Sequence, residues 1–180
     1  MNAAPSDLND FFALFGLPRS FRVDLVQLES AYREVQARVH PDRHAAAGDA
    51  QQRVAMQWAT AANEGFKTLK QPIKRAQYLL KLAGVDVQAE SNTAMPPAFL
   101  MQQMEWRETL DDAVARHDQR AIFGLINTVE ECRLGTINLL AAALDDCAQL
   151  QVAARLVREL MFIDKFASDV RDAEDALLTQ

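Results

Sequence analysis

The chain has little cysteine: Cys132 and Cys147 are its only two, fifteen positions apart, with no Cys-x-x-Cys. That spacing excludes a zinc finger or a thiolate-held iron–sulfur cluster built from this chain alone, and both thiols read as small hydrophobes on or near helices. Histidine is nearly as scarce. There are three, and His44 has no helical i+4 mate, so neither a metal site nor a cofactor is expected. No stretch approaches the ~20 apolar residues that span a bilayer. Met1 to Asp10 also lacks the basic and apolar regions of a secretory signal, so a cytoplasmic protein with no membrane partner is expected. With no run of Lys or Arg and a pI near 5.1, no concentrated basic surface is available to grip phosphates, which argues against nucleic acid. A Gly-rich phosphate-binding loop is missing too, so any ATPase activity belongs to a partner. No β-rich alternating run occurs, which leaves an all-α chain.

Charge is unevenly spread. Residues 1–83 carry eleven Lys/Arg against eight Asp/Glu, and residues 84–180 carry eight against seventeen, a net +3 half followed by a net −9 half. Such asymmetry predicts two modules with different partners, and 180 residues is long enough for one or two domains.

In the first half, Asp24 and Gln27 have the spacing of a capping box, and Leu25, Leu28, Tyr32, Val35 and Val39 follow as one buried helical stripe. Pro41 cannot continue that helix, so His40 closes it and His40-Pro41-Asp42 stands on the connection. Gly48 and Asp49 restart the chain, with Asp49 and Gln52 as a second capping pair and Ala55, Trp58, Ala62, Phe66 and Leu69 as the next stripe. Two helices flanking an exposed His-Pro-Asp turn resemble the J-domain, by which co-chaperones engage DnaK-type ATPases. Phe11-Phe12-Ala13-Leu14-Phe15-Gly16-Leu17-Pro18 looks like that domain's short first helix and Gln71-Pro72-Ile73-Lys74-Arg75-Ala76-Gln77-Tyr78-Leu79-Leu80 like its fourth. Arg33, Arg38 and Arg43 would guide docking on an acidic chaperone surface. Glu29 and Glu34 interleave with them, so an ordinary solvated face competes with that reading.

From Gly84 to Pro97 the periodicity lapses into turn residues, with Gly84 suited to cap the helix ending near Ala83. Three helices are expected beyond it, over roughly Pro97 to His117, Asp118 to Ala143 and Ala148 to Leu178, forming an antiparallel three-helix bundle. The first of them has one apolar stripe too many. At ~100° per residue, Phe99, Trp106, Leu110 and Ala113 share one face, while Leu100, Met101 and Met104 fall nearly opposite, bordered by Glu105, Arg107 and Glu108. A clustered apolar patch with a charged rim suits a partner better than it suits solvent. A helix buried on both sides, or packed against the J-domain-like half, is the competing explanation. The last helix has its core stripe at Ala153, Val157, Leu160, Ile163, Ala167 and Val170, with Phe162 on the other side among Arg155, Arg158 and Lys165.

Phe-x-Leu-Phe-Gly-Leu-Pro at the start and Arg-Ala-x-Tyr-Leu-Leu after the third helix are closer to the HscB family than to general DnaJ proteins. In that family a similar C-terminal bundle binds IscU, the scaffold on which iron–sulfur clusters are assembled. Phe99 to Glu108 looks like its scaffold-contacting segment. The resemblance implies a J-domain over 1–83, a linker over 84–96 and a scaffold-binding domain over 97–180. It also implies scaffold contacts at Leu100, Met101, Met104, Glu105, Arg107, Glu108 and Phe162, with Met104 standing where bacterial members usually have Leu, a change that preserves volume. The implied activity is co-chaperone rather than enzyme: the scaffold is delivered to an HscA-type chaperone whose ATPase His40, Pro41 and Asp42 stimulate. A catalytic or metal-binding His40/Asp42 pair is the rival, and it has too few histidines around it. A general co-chaperone for unfolded clients is the nearer alternative, to be marked by a Gly/Phe-rich linker or Cys-x-x-Cys-x-Gly-x-Gly repeats, neither of which is present.

Overall fold

The structure, a computed structural model, describes residues 10–39, 48–87 and 95–178. The elements are α1 (Phe11–Leu14), α2 (Leu25–Val39), α3 (Asp49–Lys70), α4 (Pro72–Leu82), α5 (Pro97–Ala115), α6 (Gln119–Ala141), a π-helical turn (Ala142–Asp146) and α7 (Leu150–Leu178). No strand occurs among the described residues, so the chain is all-α as its periodicity requires. It divides into two compact units, Met1–Leu79 and Leu80–Gln180.

In the first unit α2 and α3 pair antiparallel: Glu29 meets Lys70 at 3.2 Å, while Tyr32, one turn later in α2, meets Asn63, two turns earlier in α3, at 2.8 Å. Asp24 caps α2, its Oδ1 accepting from the amides of Val26 and Gln27 at 2.8 and 3.2 Å. The core gathers Phe12, Leu14, Phe15 and Leu17 around Leu28 and Val35 of α2 and Ala62 and Leu69 of α3. Gly65 is what lets α1 approach so closely, since a Cβ there would stand 3.0 Å from the Phe11 ring and 3.1 Å from that of Phe15. Two residues of the Arg-Ala-x-Tyr-Leu-Leu motif turn out to be fasteners. Arg75 is buried, its guanidinium donating to the Leu69 carbonyl at the end of α3 (2.6 Å) and lying 4.9 Å from the Phe21 ring centre. The Tyr78 hydroxyl accepts from the Phe11 amide at 3.0 Å, and its ring stacks on Phe11 at 4.7 Å.

Gly48 is the N-cap of α3 and Asp49 its first helical residue, while the Asp49 side chain, on which the second capping pair rests, lies outside what the structure describes. One local expectation needs correction. Leu25 is exposed, because the buried arc of α2 centres on Leu28 and Val35 and Leu25 lies at that arc's edge in the first turn.

In the second unit α5, α6 and α7 form the expected antiparallel three-helix bundle around Phe99, Trp106, Ile122, Val129, Ile163 and Val170. Asp118 caps α6, accepting from the Ala121 amide at 3.0 Å, and His117 takes a left-handed φ of 52° to reverse the chain. Gly84 closes α4 as expected, with φ 75° and the amides of Gly84 and Val85 bonded back to the carbonyls of Lys81 and Leu80. The segment beyond is tied down where Arg158 donates to the Val87 carbonyl at 2.9 Å. Helix α6 is shorter than its pattern suggests. It widens into a π turn after Ala141, and α7 starts only at Leu150 behind Ala148, whose φ of 50° is left-handed.

Candidate docking sites

Helix α5 presents two faces of opposite character. Phe99, Trp106 and Ala113 are buried and Leu110 is half-buried, whereas Leu100, Met101 and Met104 are 45%, 62% and 71% exposed. Glu105, Arg107 and Glu108 are exposed around them, and none of the three has an ion-pair partner among the described residues. The second stripe is therefore on the surface of its unit and not a second core face, and its rim charges are unspent. Apolar side chains clustered so densely are costly to leave in water and gain when a partner covers them.

On α7, Ala153, Val157, Leu160, Ile163, Ala167 and Val170 are buried as their spacing requires, and Leu156 and Phe166 join them. Phe162 is 39% exposed. It lies three residues after Glu159 and seven after Arg155, so these three share one side of the helix within about 60° of arc. Arg155 and Glu159 line an open groove with Met101, Gln102 and Glu105 of α5, which places Phe162 one turn along from a groove wall that includes part of the α5 stripe. The sequence pattern places Arg155 beside Phe162 but does not single out Glu159. The signal for Glu159 is its i,i+4 opposite-charge spacing from Arg155. The Cys132 thiol lies beside Gln102, 3.9 Å from its Oε1; burial raises the thiol pKa, a hydrogen bond with Thr136 opposes the rise, and the Glu159 charge adds to it.

In the first unit, Arg33 and Arg38 are both exposed on α2, and each bonds the backbone carbonyl four residues earlier, Glu29 and Glu34, at 3.3 Å. Five positions apart, they diverge by about 140° around the helix and do not make a single face. The Glu29 carboxylate is engaged by Lys70 of α3, so it does not neutralise Arg33. His40, Pro41, Asp42 and Arg43 lie outside the described residues.

Residues 95–171 match the family model described as the HSCB C-terminal oligomerisation domain. The chain is 55% identical to the co-chaperone protein HscB homolog of Ralstonia nicotianae over 177 residues, covering 98% of this chain and 99% of that one. It is 56% identical to the HscB homolog of Cupriavidus taiwanensis over 171 residues, 94% and 96% of the two. Among solved structures it is similar to chaperone HscB from Vibrio cholerae, with a TM-score of 0.86 and 37% identity over 93% of this chain and 99% of that one. The human co-chaperone protein HscB shares the fold, with a TM-score of 0.84 at 24% identity over 95% and 84%.

Proposed function

The chain belongs to the HscB co-chaperone family, and on that premise we propose that it binds an IscU-type iron–sulfur scaffold and delivers it to an HscA-type, DnaK-like chaperone in the cytoplasm. Residues 1–83 act as the J-domain, 84–96 as the linker and 97–180 as the scaffold-binding bundle. The observation that carries this reading is the Leu100/Met101/Met104 stripe, exposed on a helix whose other face is fully committed to the core. Those three residues and Phe162 supply apolar contact area, and Glu105, Arg107 and Glu108 set the orientation of the bound scaffold from the rim.

At the other end of the chain, His40, Pro41 and Asp42 act on the chaperone's ATPase. Arg33, Arg38 and Arg43 supply the positive field that steers encounter with an acidic surface. Helix α2 gives that field a rigid base, being held to α3 by the Tyr32–Asn63 and Glu29–Lys70 contacts and by stacking of Tyr32 on Phe66 at 4.3 Å. The protein itself performs no reaction in this scheme. Coupling follows from one molecule holding the scaffold at one site while triggering, at the other, the hydrolysis that traps it in the chaperone.

The test is a pull-down from native cell extract followed by an ATPase assay on whatever chaperone is retained. Recovery of a cluster scaffold together with a DnaK-type chaperone, and stimulation of that chaperone's hydrolysis, is the expected result. Retention of assorted unfolded proteins without a scaffold would overturn the proposal in favour of a general co-chaperone.

A further inference from the structure

The groove between α5 and α7, about 530 Å³, sets Gln102, Glu105, Arg155 and Glu159 beside an apolar lining that includes Phe99 and Met101. Glu159 on its wall is only 8% exposed, and its carboxylate accepts from Arg155 Nη1 at 2.8 Å, while the Arg155 side chain remains 41% exposed. Glu105 faces the same groove with no ion-pair partner among the described residues. Two carboxylates therefore line the groove with one guanidinium, which pairs with Glu159 alone, and the three side chains leave a net charge of −1.

Folding does not call for this arrangement. A carboxylate this deeply buried loses most of its hydration, and a well-packed apolar residue of similar volume serves a core as well or better. A charge retained at such a cost, on the wall of an open groove, is suited to a ligand of opposite sign. Met101 and Gln102 on the same wall would cover the aliphatic stem of a long cationic side chain and leave its head to the carboxylates. The groove also adjoins the docking stripe, because Met101 belongs to both.

We propose that this groove takes a lysine or arginine side chain of the protein docked on the α5 stripe, so that the apolar contacts fix the partner and the groove charge selects it. The inference rests on the docking reading given above. Its test uses the full-length chain and purified scaffold, with titration calorimetry at low and high salt and thermal melting of each variant. Glu159→Gln should weaken binding about tenfold at low salt and flatten its salt dependence, with melting close to that of the parent chain. Arg155→Gln should tighten binding, because it makes the groove more negative. Either an unchanged Glu159→Gln affinity or an Arg155→Gln affinity that stays level or falls overturns the inference. Leu100→Ala separates the two levels: if it weakens binding while the groove variants behave wrongly, only the groove assignment is lost. Should Leu100→Ala bind as the parent does, the docking surface itself is wrong and the groove assignment falls with it. If Glu159→Gln does not fold, the sign of the Arg155→Gln effect decides alone, read on the folded fraction of that variant, whose Glu159 has lost its counter-ion.

Discussion

Trp106 of α5 stacks on Phe166 of α7, ring centres 5.6 Å apart and planes within 17°. Two residues before Trp106, Met104 points into solvent. One short stretch of helix thus holds both a pillar of the core and a side chain with no intramolecular duty, and the two should answer mutation in opposite ways. Trp106→Ala and Leu160→Ala should cost about 2 to 5 kcal/mol of folding stability through the cavities they leave. Leu100→Ala, Met104→Ala and Phe162→Ala should hardly move the melting curve yet each weaken scaffold binding, by up to ~2 kcal/mol where the contact is fully desolvated. Circular dichroism melts and calorimetric titration on the same preparations check both halves. Early melting of Leu100→Ala and Met104→Ala, with unchanged affinity in the folded fraction, would refute the assignment of the stripe to a partner.

Gly65 offers a test of packing in the N-terminal unit that runs against helix propensity. Gly→Ala inside a helix ordinarily gains about 1 kcal/mol. Here the new methyl would press on Phe11 and Phe15, rings held in place by Tyr78 and Tyr32, and overpacking of that kind costs ~1–3 kcal/mol. A net loss of about 1 kcal/mol is expected for Gly65→Ala. Gly124→Ala and Gly135→Ala on α6 meet nothing within 4 Å and should instead gain ~0.5–1 kcal/mol. Denaturant midpoints for the three variants decide between the two behaviours.

The buried stripes were legible because helical period is a local property: Leu28 and Val35, Ala62 and Leu69, Trp106 and Ala113 all lie where their spacing places them. The exposed stripe on α5 was legible for the same reason, since residues that cannot share the core face must leave it. Gly84 was readable as a cap because few residues other than glycine adopt φ near 75°. The features that escaped depend on neighbours distant in sequence. Leu25 looks identical to a core leucine until the partner helix fixes which arc of α2 is covered. The π turn at Ala142–Asp146 changes the hydrogen-bond step without changing the local pattern, so an alanine-rich stretch does not announce it. Glu159 carries no signal of burial in its spacing, and only the pairing of α5 with α7 shows that it lines a groove.

The two cysteines should differ in reactivity. Cys147 is exposed, whereas Cys132 is partly covered and its thiol pKa is raised, chiefly by burial. Thiolate is the reactive form, so a thiol reagent at neutral pH should modify Cys147 first and Cys132 slowly. Cys147→Ser should leave only the slow phase. The raised pKa also fixes a sign for stability: the folded chain holds the Cys132 proton more tightly than the unfolded chain, so this contribution is complete below the ordinary thiol pKa and is lost as pH rises through the folded value. Cys132→Ser should remove that alkaline component from a plot of melting temperature against pH, and its persistence in this variant would disprove the assignment.

His40→Gln and Asp42→Asn are expected to abolish stimulation of the chaperone's ATPase while leaving scaffold binding and helical content unchanged. Among the described residues the core of the N-terminal unit is assembled from α1, α2, α3 and the segment after α1, and the sequence places His40 and Asp42 on the connection between α2 and α3. Polar substitutions on such a turn usually shift stability by no more than about 0.5 kcal/mol. Loss of function in these variants should therefore be a loss of trigger and not of fold. Arg33→Ala should behave differently, lowering the apparent affinity for the chaperone with a strong salt dependence while leaving stimulation at saturation near that of the parent chain, as a steering charge would. Steady-state ATPase titrations at two ionic strengths separate the two classes. Full stimulation by His40→Gln at saturating concentration would remove the tripeptide from the mechanism and leave Arg33, Arg38 and Arg43 as the chaperone site.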